Sequence, residues 1–300
     1  MYSKILLLLL FVIKTAIASP WMTGPLLAPS GKTIPAGHVN FEPYGFYTMY
    51  PGDYRNVELL PVLTVGVTNF LDVQTSLPID HSWNLGQQGG NIGDYSLGLG
   101  LQLLREQENS WVPNLRMTIQ EVFPTGKFDN LSPYKLGTDQ TGVGAYQTSL
   151  GFHFQKLKDL GNEHYLRSRL SLLGSWASDV HVDGLSVYGG NVITDGDVSP
   201  GNSFSADLAF EYSLTQHWVP VFEVLFVDSG SSDFNGNPGL TPGGVIDSIG
   251  GGGGNQLSLA PALEYNFSPQ FGVIGGVWFA VTGPRGGGFT SIALAVNYYF

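Results

Sequence analysis

The chain of 300 residues contains no cysteine and few charged residues. The absence of cysteine excludes disulfide bonds and thiolate chemistry. The chain has 13 Lys and Arg residues and 24 Asp and Glu residues, so its net charge is −11. No basic patch exists to bind the phosphates of nucleic acid. Charged residues are 12% of the chain, against about 25% in ordinary soluble domains. The composition, with 41 glycines, 14 tyrosines and 18 phenylalanines, therefore argues against a soluble enzyme.

The N-terminus has the pattern of an export signal. Lys4 precedes an apolar run over residues 5–13, and Ala16-Ile17-Ala18 is a small-x-small cleavage site. A membrane anchor is the alternative, but it needs about 18 apolar residues and this run is shorter. We expect residues 1–18 to be a cleaved signal peptide. After residue 20, no apolar run is long enough to cross a bilayer as a helix.

Alternation of apolar and small or polar residues dominates the rest of the chain. From Ile292 to Phe300 every second residue is apolar, and residues 94–103 alternate almost without a fault. A period of two indicates strands with one apolar face. Similar segments recur along the chain, at residues 39–49, 57–67, 71–79, 115–120, 146–155, 166–176, 204–212, 218–226, 256–267 and 273–281.

The connections between these segments alternate in length. Short turns, such as residues 215–217 and 268–270, alternate with long polar segments at residues 80–93, 124–143, 178–201 and 229–255. Short periplasmic turns and long outer loops are typical of outer-membrane barrels. We therefore predict a transmembrane antiparallel β-barrel of about 12 strands (range about 10–14) over residues 38–300. A soluble periplasmic β-sandwich or lipocalin-like barrel is the alternative fold.

Residues 19–37 precede the first predicted strand. They lie either along the periplasmic rim or in the lumen as a partial plug, and the sequence does not distinguish these two placements. Four prolines interrupt the predicted strands at Pro43, Pro61, Pro220 and Pro261. Because proline lacks a ladder donor, we expect bulges or bends at these positions.

The final strand resembles the C-terminal sorting strand of bacterial outer-membrane barrels. In those proteins the assembly machinery reads alternating apolar residues and a terminal Phe, so Tyr298 and Phe300 are the expected assembly signal. The resemblance implies an outer-membrane location, contact with lipid and lipopolysaccharide, and the barrel-assembly machinery and periplasmic chaperones as partners. Aromatic residues near the short turns predict an inner girdle made of Phe70, Tyr212, Trp218, Tyr265, Phe267, Phe271, Tyr298 and Phe300.

Several charged residues share the parity of the lumen-facing positions. On the lipid face, Arg or Lys would cost about 2–4 kcal/mol at the midplane. We therefore expect them to line the lumen, either as a basic strip opposing an acidic strip across a pore or as salt bridges that fill the barrel. The predicted lumen-lining residues are Asp94, Arg116, Arg167, Arg169, Asp207, Glu211, Glu223 and Glu264.

Other groups that could carry chemistry have simpler interpretations. Ser149 and His153 would be about 13 Å apart along one strand, which is too far for a hydrolase pair. Asp179, His181, Asp183 and Asp195 fit no known cation loop, and Gly250 to Gly254 lacks the Lys of a phosphate loop. We predict no catalytic residue, no metal site and no cofactor.

A set of short motifs is spread over most of the chain after the predicted signal peptide. They are Gly24-Pro25-Leu26-Leu27, residues 33–38, Glu42-Pro43-Tyr44, residues 110–116, residues 123–126, Tyr146-Gln147-Thr148, residues 261–266 and residues 276–279. In these motifs the chain resembles the exported barrel proteins grouped as the "meta-pathway of phenol degradation" or outer-membrane transporter-like family of Gram-negative bacteria. The resemblance implies a channel for passive uptake of small hydrophobic or aromatic solutes, without catalysis. The alternative is a host-facing surface protein with a closed lumen and partner-binding loops.

Overall fold

The computed structural model describes residues 20–107, 110–283 and 288–300. The predicted signal peptide lies outside the described residues. Within them, no helix is long and apolar enough to span a membrane. A short 3-10 helix occupies Pro133–Lys135. The strands are β1 (Val39–Met49), β2 (Arg55–Thr68), β3 (Leu71–Ser76), β4 (Ile79–Asn84), β5 (Gln87–Ile92), β6 (Tyr95–Leu104), β7 (Asn114–Phe123), β8 (Gln147–Gly161), β9 (His164–Ala177), β10 (Val180–Asp183), β11 (Asp195–Ser199), β12 (Ser203–Tyr212), β13 (Trp218–Ser229), β14 (Asp233–Asn237), β15 (Gly254–Asn266), β16 (Phe271–Thr282) and β17 (Thr290–Tyr299).

The large sheet closes on itself. β1 pairs antiparallel with β2 on one side and with β17 on the other. β3 and β4 both pair with β2 and together form one strand of the barrel. β6 pairs with β3 and β5 pairs with β4, so β5 and β6 together form the next strand. With each of these pairs counted as one strand, the sheet order gives a closed antiparallel barrel of 12 strands. The predicted fold is confirmed.

The outer surface of the barrel is apolar. On β17, Ile292 and Leu294 are 53% and 58% exposed, whereas Ala293 and Ala295 point inward and are buried. The same alternation exposes Leu97 and Leu99 on β6. In hydrocarbon every backbone N–H and C=O must be paired, and a closed ladder with an apolar exterior satisfies that requirement. The barrel is therefore built to span a membrane.

All four prolines lie at interruptions of a ladder. Pairing between β1 and β17 skips from Phe41 to Tyr44, on either side of Pro43. We predicted bulges or bends, and the structure instead leaves a gap in one of the two ladders, because proline has no N–H to donate. Pro61 lies on β2 in the gap between the part that pairs with β4 and the part that pairs with β3. Pro220 lies where the β12–β13 ladder ends, and Pro261 lies in a gap of the β15–β16 ladder.

Residues 80–93 are not the long loop that we predicted. They form the hairpin β4–β5, which extends two barrel strands beyond the apolar belt and turns at Leu85 and Gly86, both with positive φ. All of β5 except Ile92 is polar or glycine, so its sequence lacks the alternation that marks a strand. The outer loops also contain a second sheet, in which β11 pairs with β10 and β14.

Aromatic side chains surround the short-turn end of the barrel. Tyr265 lies with its ring centroid 4.6 Å from Trp218 and 4.8 Å from Phe267. The ring of Tyr298 lies 5.3 Å from that of Phe300. This arrangement is typical of an interfacial girdle, where amphipathic rings meet the headgroups. The backbone of Phe300 also exchanges two hydrogen bonds with Val39, so the last residue closes the seam.

Candidate functional site

The segment before β1 lies inside the barrel. At one end the carbonyl oxygen of Trp21 accepts a hydrogen bond from Asn266 Nδ2 at 3.0 Å. At the other end the N–H of Ile34 donates to Asp72 Oδ2 at 2.9 Å. Asn266 and Asp72 lie on inner positions of β15 and β3, near short turns. We call residues 21–34 the plug.

The middle of the plug is held by the carboxylate of Glu223. The N–H of Leu26 donates to Oε1 at 2.6 Å, and those of Leu27 and Ala28 donate to Oε2 at 3.0 and 2.9 Å. Glu223 is fully buried on the inner face of β13. The plug is an irregular segment, so its amides cannot pair with each other. A carboxylate with two acceptor oxygens satisfies three of them at once.

Basic side chains from β9 bind the plug from the other direction. Arg169 Nη1 donates to the carbonyl oxygen of Ala28 at 3.0 Å, and Arg167 Nη1 donates to that of Met22 at 3.3 Å. Both guanidinium groups also contact the buried carboxylate of Glu211 on the neighbouring strand β12. Glu211 therefore fixes the two arginines that hold plug carbonyls, while cross-strand pairing aligns it directly with Arg167.

Further amide and carboxylate groups hold both ends of the plug. Glu264 accepts a hydrogen bond from the N–H of Thr23. Gln102 donates from Nε2 to the carbonyl oxygen of Gly31 at 2.9 Å and accepts from the N–H of Thr33 at 2.8 Å. Asp72, which receives Ile34, also forms a buried ion pair with Arg116 at 2.6 Å. Side chains from β3, β6, β9, β13 and β15 thus converge on the backbone of the plug.

A cavity of about 620 Å³ remains inside the barrel next to the plug. Its wall has a charged part and an apolar part. The charged part includes Arg116, Arg167, Arg169, Asp207, Glu42, Asp72 and, on the plug, Lys32. On the barrel wall the apolar part includes Tyr44, Phe46, Leu60, Val62, Leu173 and Leu225.

The eight predicted lumen-lining residues fall into three groups. Arg116, Arg167, Arg169 and Asp207 line the cavity. Glu211, Glu223 and Glu264 are fully buried and bind the plug or the arginines that hold it. Asp94 lies apart, in the break between β5 and β6. Its carboxylate accepts the N–H groups of Gly126 and Val143, both at 2.8 Å, and so fixes an outer loop.

The charged side chains form salt bridges rather than two opposing strips. Arg167 and Glu211 are neighbours across the β9–β12 ladder, and Arg116 reaches Asp72 over Gly100. A Cβ on Gly100 would clash with Asp72 Oδ1 and Arg116 Nε, so a side chain there would displace the ion pair. Of the two arrangements that the sequence left open, the salt bridges are present, but they do not fill the barrel because the cavity remains beside the plug.

His153 is engaged within the wall. Its Nε2 lies 2.8 Å from Thr118 Oγ1 and its Nδ1 lies 3.1 Å from Ser171 Oγ. Ser149 instead contacts Ser175, with the two hydroxyl oxygens 2.7 Å apart. Ser149 and His153 therefore do not contact each other, as their spacing predicted. Among the described residues, no group of three or more His, Cys, Asp or Glu is placed to hold a metal ion.

Three lumen residues on β1 escaped the sequence analysis. Glu42 accepts a hydrogen bond from Asn297 Nδ2 at 2.8 Å, and the rings of Tyr44 and Phe46 are stacked with centroids 6.1 Å apart. Tyr44 and Phe46 pack on an internal apolar cluster that contains Leu26 of the plug. Apolar residues on both faces explain why alternation in β1 is imperfect, and that imperfection is the signal that could have revealed them.

In the outer sheet, the imidazole of His181 lies beside the carboxylates of two aspartates. Nδ1 of His181 on β10 lies 3.0 Å from Asp197 Oδ1, and Nε2 lies 3.5 Å from Asp195 Oδ1. The hydrogen bond to Asp197 and the negative charges of Asp197, Asp195 and Asp183 raise the pKa of His181 above its ordinary value. Because these groups are exposed, water and salt screen the interaction.

Comparison with known proteins identifies the fold of this chain but no family. No protein-family model and no curated protein matches the sequence. Among solved structures, the chain is similar to the COG4313 outer membrane channel from Pseudomonas putida F1, with a TM-score of 0.68 and 14% identity over 90% of this chain and 98% of that one. The NanC porin gives a TM-score of 0.48 at 10% identity, over 86% of this chain and 98% of that one. The Pseudomonas putida toluene transporter TodX gives 0.43 at 9% identity, over 88% and 89%. The chain thus has the fold of an outer-membrane channel.

Proposed function

We propose that this protein is a passive outer-membrane channel whose lumen is restricted by its own N-terminal plug. The observation that carries the proposal is the cavity of about 620 Å³ between the plug and the barrel wall. A barrel that served only as an anchor would gain stability from a filled lumen, because cavities cost free energy. The fold shared with an outer-membrane channel supports the same function.

The solutes that we propose are small and carry an apolar or aromatic part. The apolar part of the cavity wall, with the rings of Tyr44 and Phe46, supports this class. The toluene transporter and the phenol-degradation group of barrels are named for such compounds, and this finer assignment is part of the proposal. Export through a cleaved signal peptide, contact with lipid and lipopolysaccharide, and assembly through the sorting strand ending in Phe300 complete it.

Reconstitution into planar bilayers and liposomes tests the channel. We expect the full chain to give small single-channel currents and to admit small solutes in liposome swelling. Deletion of residues 20–33 should increase the conductance several-fold, because these residues occupy the lumen. A refolded barrel that shows heat-modifiable migration but stays electrically and osmotically silent, with and without the plug, would refute the proposal.

A role as a surface protein is the second candidate. The ordered outer sheet β10–β11–β14 favours it, since a barrel that served only as a channel needs no such structure above its mouth. Deletion of the loop tip at residues 239–247 separates the two functions. A surface protein would lose partner binding on cells, whereas a channel would keep its solute flux.

A further inference from the structure

The interior of the barrel contains more carboxylates than cations. Within the described residues, the groups that line the cavity or hold the plug leave two negative charges without compensation when all are ionised. The six carboxylates are those of Glu42, Asp72, Asp207, Glu211, Glu223 and Glu264, and the four cations are those of Lys32, Arg116, Arg167 and Arg169. An uncompensated charge in a low-dielectric interior is costly, so a bound cation would be stabilised there.

Of the buried carboxylate oxygens without a hydrogen-bond partner among the described residues, that of Asp207 belongs to a residue on the cavity wall, whereas that of Glu264 does not. Asp207 is 5% exposed, it lines the cavity, and its Oδ1 atom accepts no hydrogen bond from the described residues. No ion pair within 4 Å includes Asp207 in the part of the chain that the structure describes. Glu223, by comparison, has both oxygens bonded to the plug. A buried, unpartnered acceptor on a cavity wall is a recognition point for a donor group.

Two donors of the cationic groups, Arg116 Nε and Arg169 Nε, also lack a hydrogen-bond partner among the described residues. Unlike Asp207, however, both guanidinium groups already contact a carboxylate. Arg116 is paired with Asp72, and Arg167 and Arg169 both contact Glu211. Arg169 also donates to the backbone of the plug. Lys32 lines the cavity from the plug, is exposed and makes no ion pair among the described residues. The preference of the cavity for one sign of charge is therefore set by the excess of two carboxylates over the four cations. The interior therefore favours positive solutes over negative ones.

The neighbours of Asp207 determine the kind of cation. Across the two ladders it lies opposite Ser171 and Leu225, and Leu225 and Leu173 contribute apolar surface to the same cavity. A calcium or magnesium ion would need about six oxygen ligands, and such a set is not present among the described residues. An ammonium group on an apolar body matches one carboxylate beside an apolar wall, and the rings of Tyr44 and Phe46 provide faces that attract cations.

We propose that the cavity binds small organic cations, aryl or alkyl ammonium compounds, through the carboxylate of Asp207. The ammonium group donates to Oδ1 and the apolar part packs against the leucine and aromatic side chains of the wall. This inference rests on the proposed channel function for its role in transport, but the binding site itself does not depend on conduction.

Three probes of similar shape and different charge test the site: benzylamine, benzyl alcohol and benzoate. Isothermal titration calorimetry on the full, folded chain in detergent at pH 7 should show binding of benzylamine and weaker or no binding of the other two. Asp207→Asn keeps the shape and removes the charge, and it should weaken benzylamine binding by about ten- to a hundredfold. Asp228→Asn, at an exposed position of the neighbouring strand β13, is the matched control and should leave binding unchanged.

The outcomes separate this inference from the channel proposal. Loss of benzylamine binding in Asp207→Asn, with heat-modifiable migration retained, supports the site even if the barrel conducts nothing. If Asp207→Asn does not fold, competition between benzylamine and benzoate on the unchanged chain decides by charge preference. Equal or tighter binding of benzoate, or no binding of benzylamine at all, would overturn the inference while leaving passive conduction intact. In bilayers with a salt gradient, the reversal potential should have the sign of cation selectivity.

Discussion

Replacing Glu223 with glutamine should loosen the plug without removing it. Glu223 accepts hydrogen bonds from three consecutive amides at 2.6, 3.0 and 2.9 Å. Glutamine keeps one acceptor oxygen and places an NH2 group, which can only donate, where the other oxygen was. Hydrogen bonds to a charged group contribute about 1.5–3 kcal/mol each and neutral ones about 0.5–1.5 kcal/mol. An amide costs less to bury than a carboxylate, which offsets part of this loss. We therefore expect the free energy that favours the docked plug to fall by about 3 kcal/mol, which lowers the ratio of docked to undocked plug on the order of a hundredfold.

Two assays report this change. In planar bilayers, Glu223→Gln should show frequent transitions to the larger conductance that deletion of residues 20–33 gives permanently. The natural chain has no cysteine, so a single Leu26→Cys substitution provides a specific label. Leu26 is 3% exposed in the docked plug, so a maleimide should react slowly with this cysteine alone and much faster when Glu223→Gln is added.

Glu121→Gln is the matched control for this prediction. Glu121 is bonded to Thr148 at 2.7 Å, away from the plug, so its amide variant should behave as the unchanged chain in both assays. If Glu223→Gln were as quiet and as slowly labelled as the control, while the deletion variant conducted freely, then Glu223 would not hold the plug. The three hydrogen bonds would then contribute too little to decide the position of the segment.

Two further predictions concern the barrel wall and the outer sheet. Arg116→Met should lower the free energy of unfolding in urea by about 3–5 kcal/mol, because it leaves Asp72 buried without its ion pair. The added change Asp72→Asn should recover part of that loss. An unfolding midpoint of Arg116→Met equal to that of the unchanged chain would contradict the argument. His181 has a raised pKa in the folded sheet, so its contribution to stability is complete below its ordinary pKa and is lost as pH rises through the raised value. Hydrogen exchange of the amides in β10 and β11, corrected for the intrinsic rate, should therefore show less protection at pH 9 than at pH 5.5. His181→Gln should remove this difference, and a difference that persists in the variant would assign it to another group.

The barrel could be predicted from the sequence because its outer surface is apolar and its inner positions are small or polar. The period of two is therefore repeated on strand after strand, as in β6 and β17. The terminal strand is the clearest case, since Ile292, Leu294 and Val296 alternate with alanine and asparagine. In β5 this alternation is absent, so the sequence predicts a loop where the structure has the hairpin β4–β5.

The lumen could be predicted only in part. Parity alone placed Arg116, Arg167 and Glu211 among the inward charges, because charges cannot face lipid at low cost. Parity does not say which charge meets which, so the sequence leaves a pore lining and salt bridges as open alternatives. The answer depends on backbone register: Arg167 lies opposite Glu211 in the β9–β12 ladder. Register follows from many pairings across the whole sheet and has no local signature.

The position of the plug was beyond the reach of the sequence for a related reason. The hydrogen bond between Leu26 and Glu223 joins residues 197 positions apart. The plug contributes backbone amides rather than distinctive side chains, and every segment of a protein has backbone amides. Its proline-rich composition indicates only that it forms neither helix nor strand. A segment of this kind fits a periplasmic rim as well as a lumen until the barrel wall is known.

The acidic interior and the plug are consequences of one requirement. An irregular segment inside a barrel must satisfy its amides with side chains from the wall, and carboxylates are the strongest acceptors available. Asp72, Glu223 and Glu264 serve the plug in this way. In a variant that lacks the plug, these three carboxylates would lose their amide donors and would face the lumen together with Asp207. The lumen of that variant would therefore present more carboxylate oxygens without a donor than the lumen of the full chain, and the residues that hold the plug would then attract a cation.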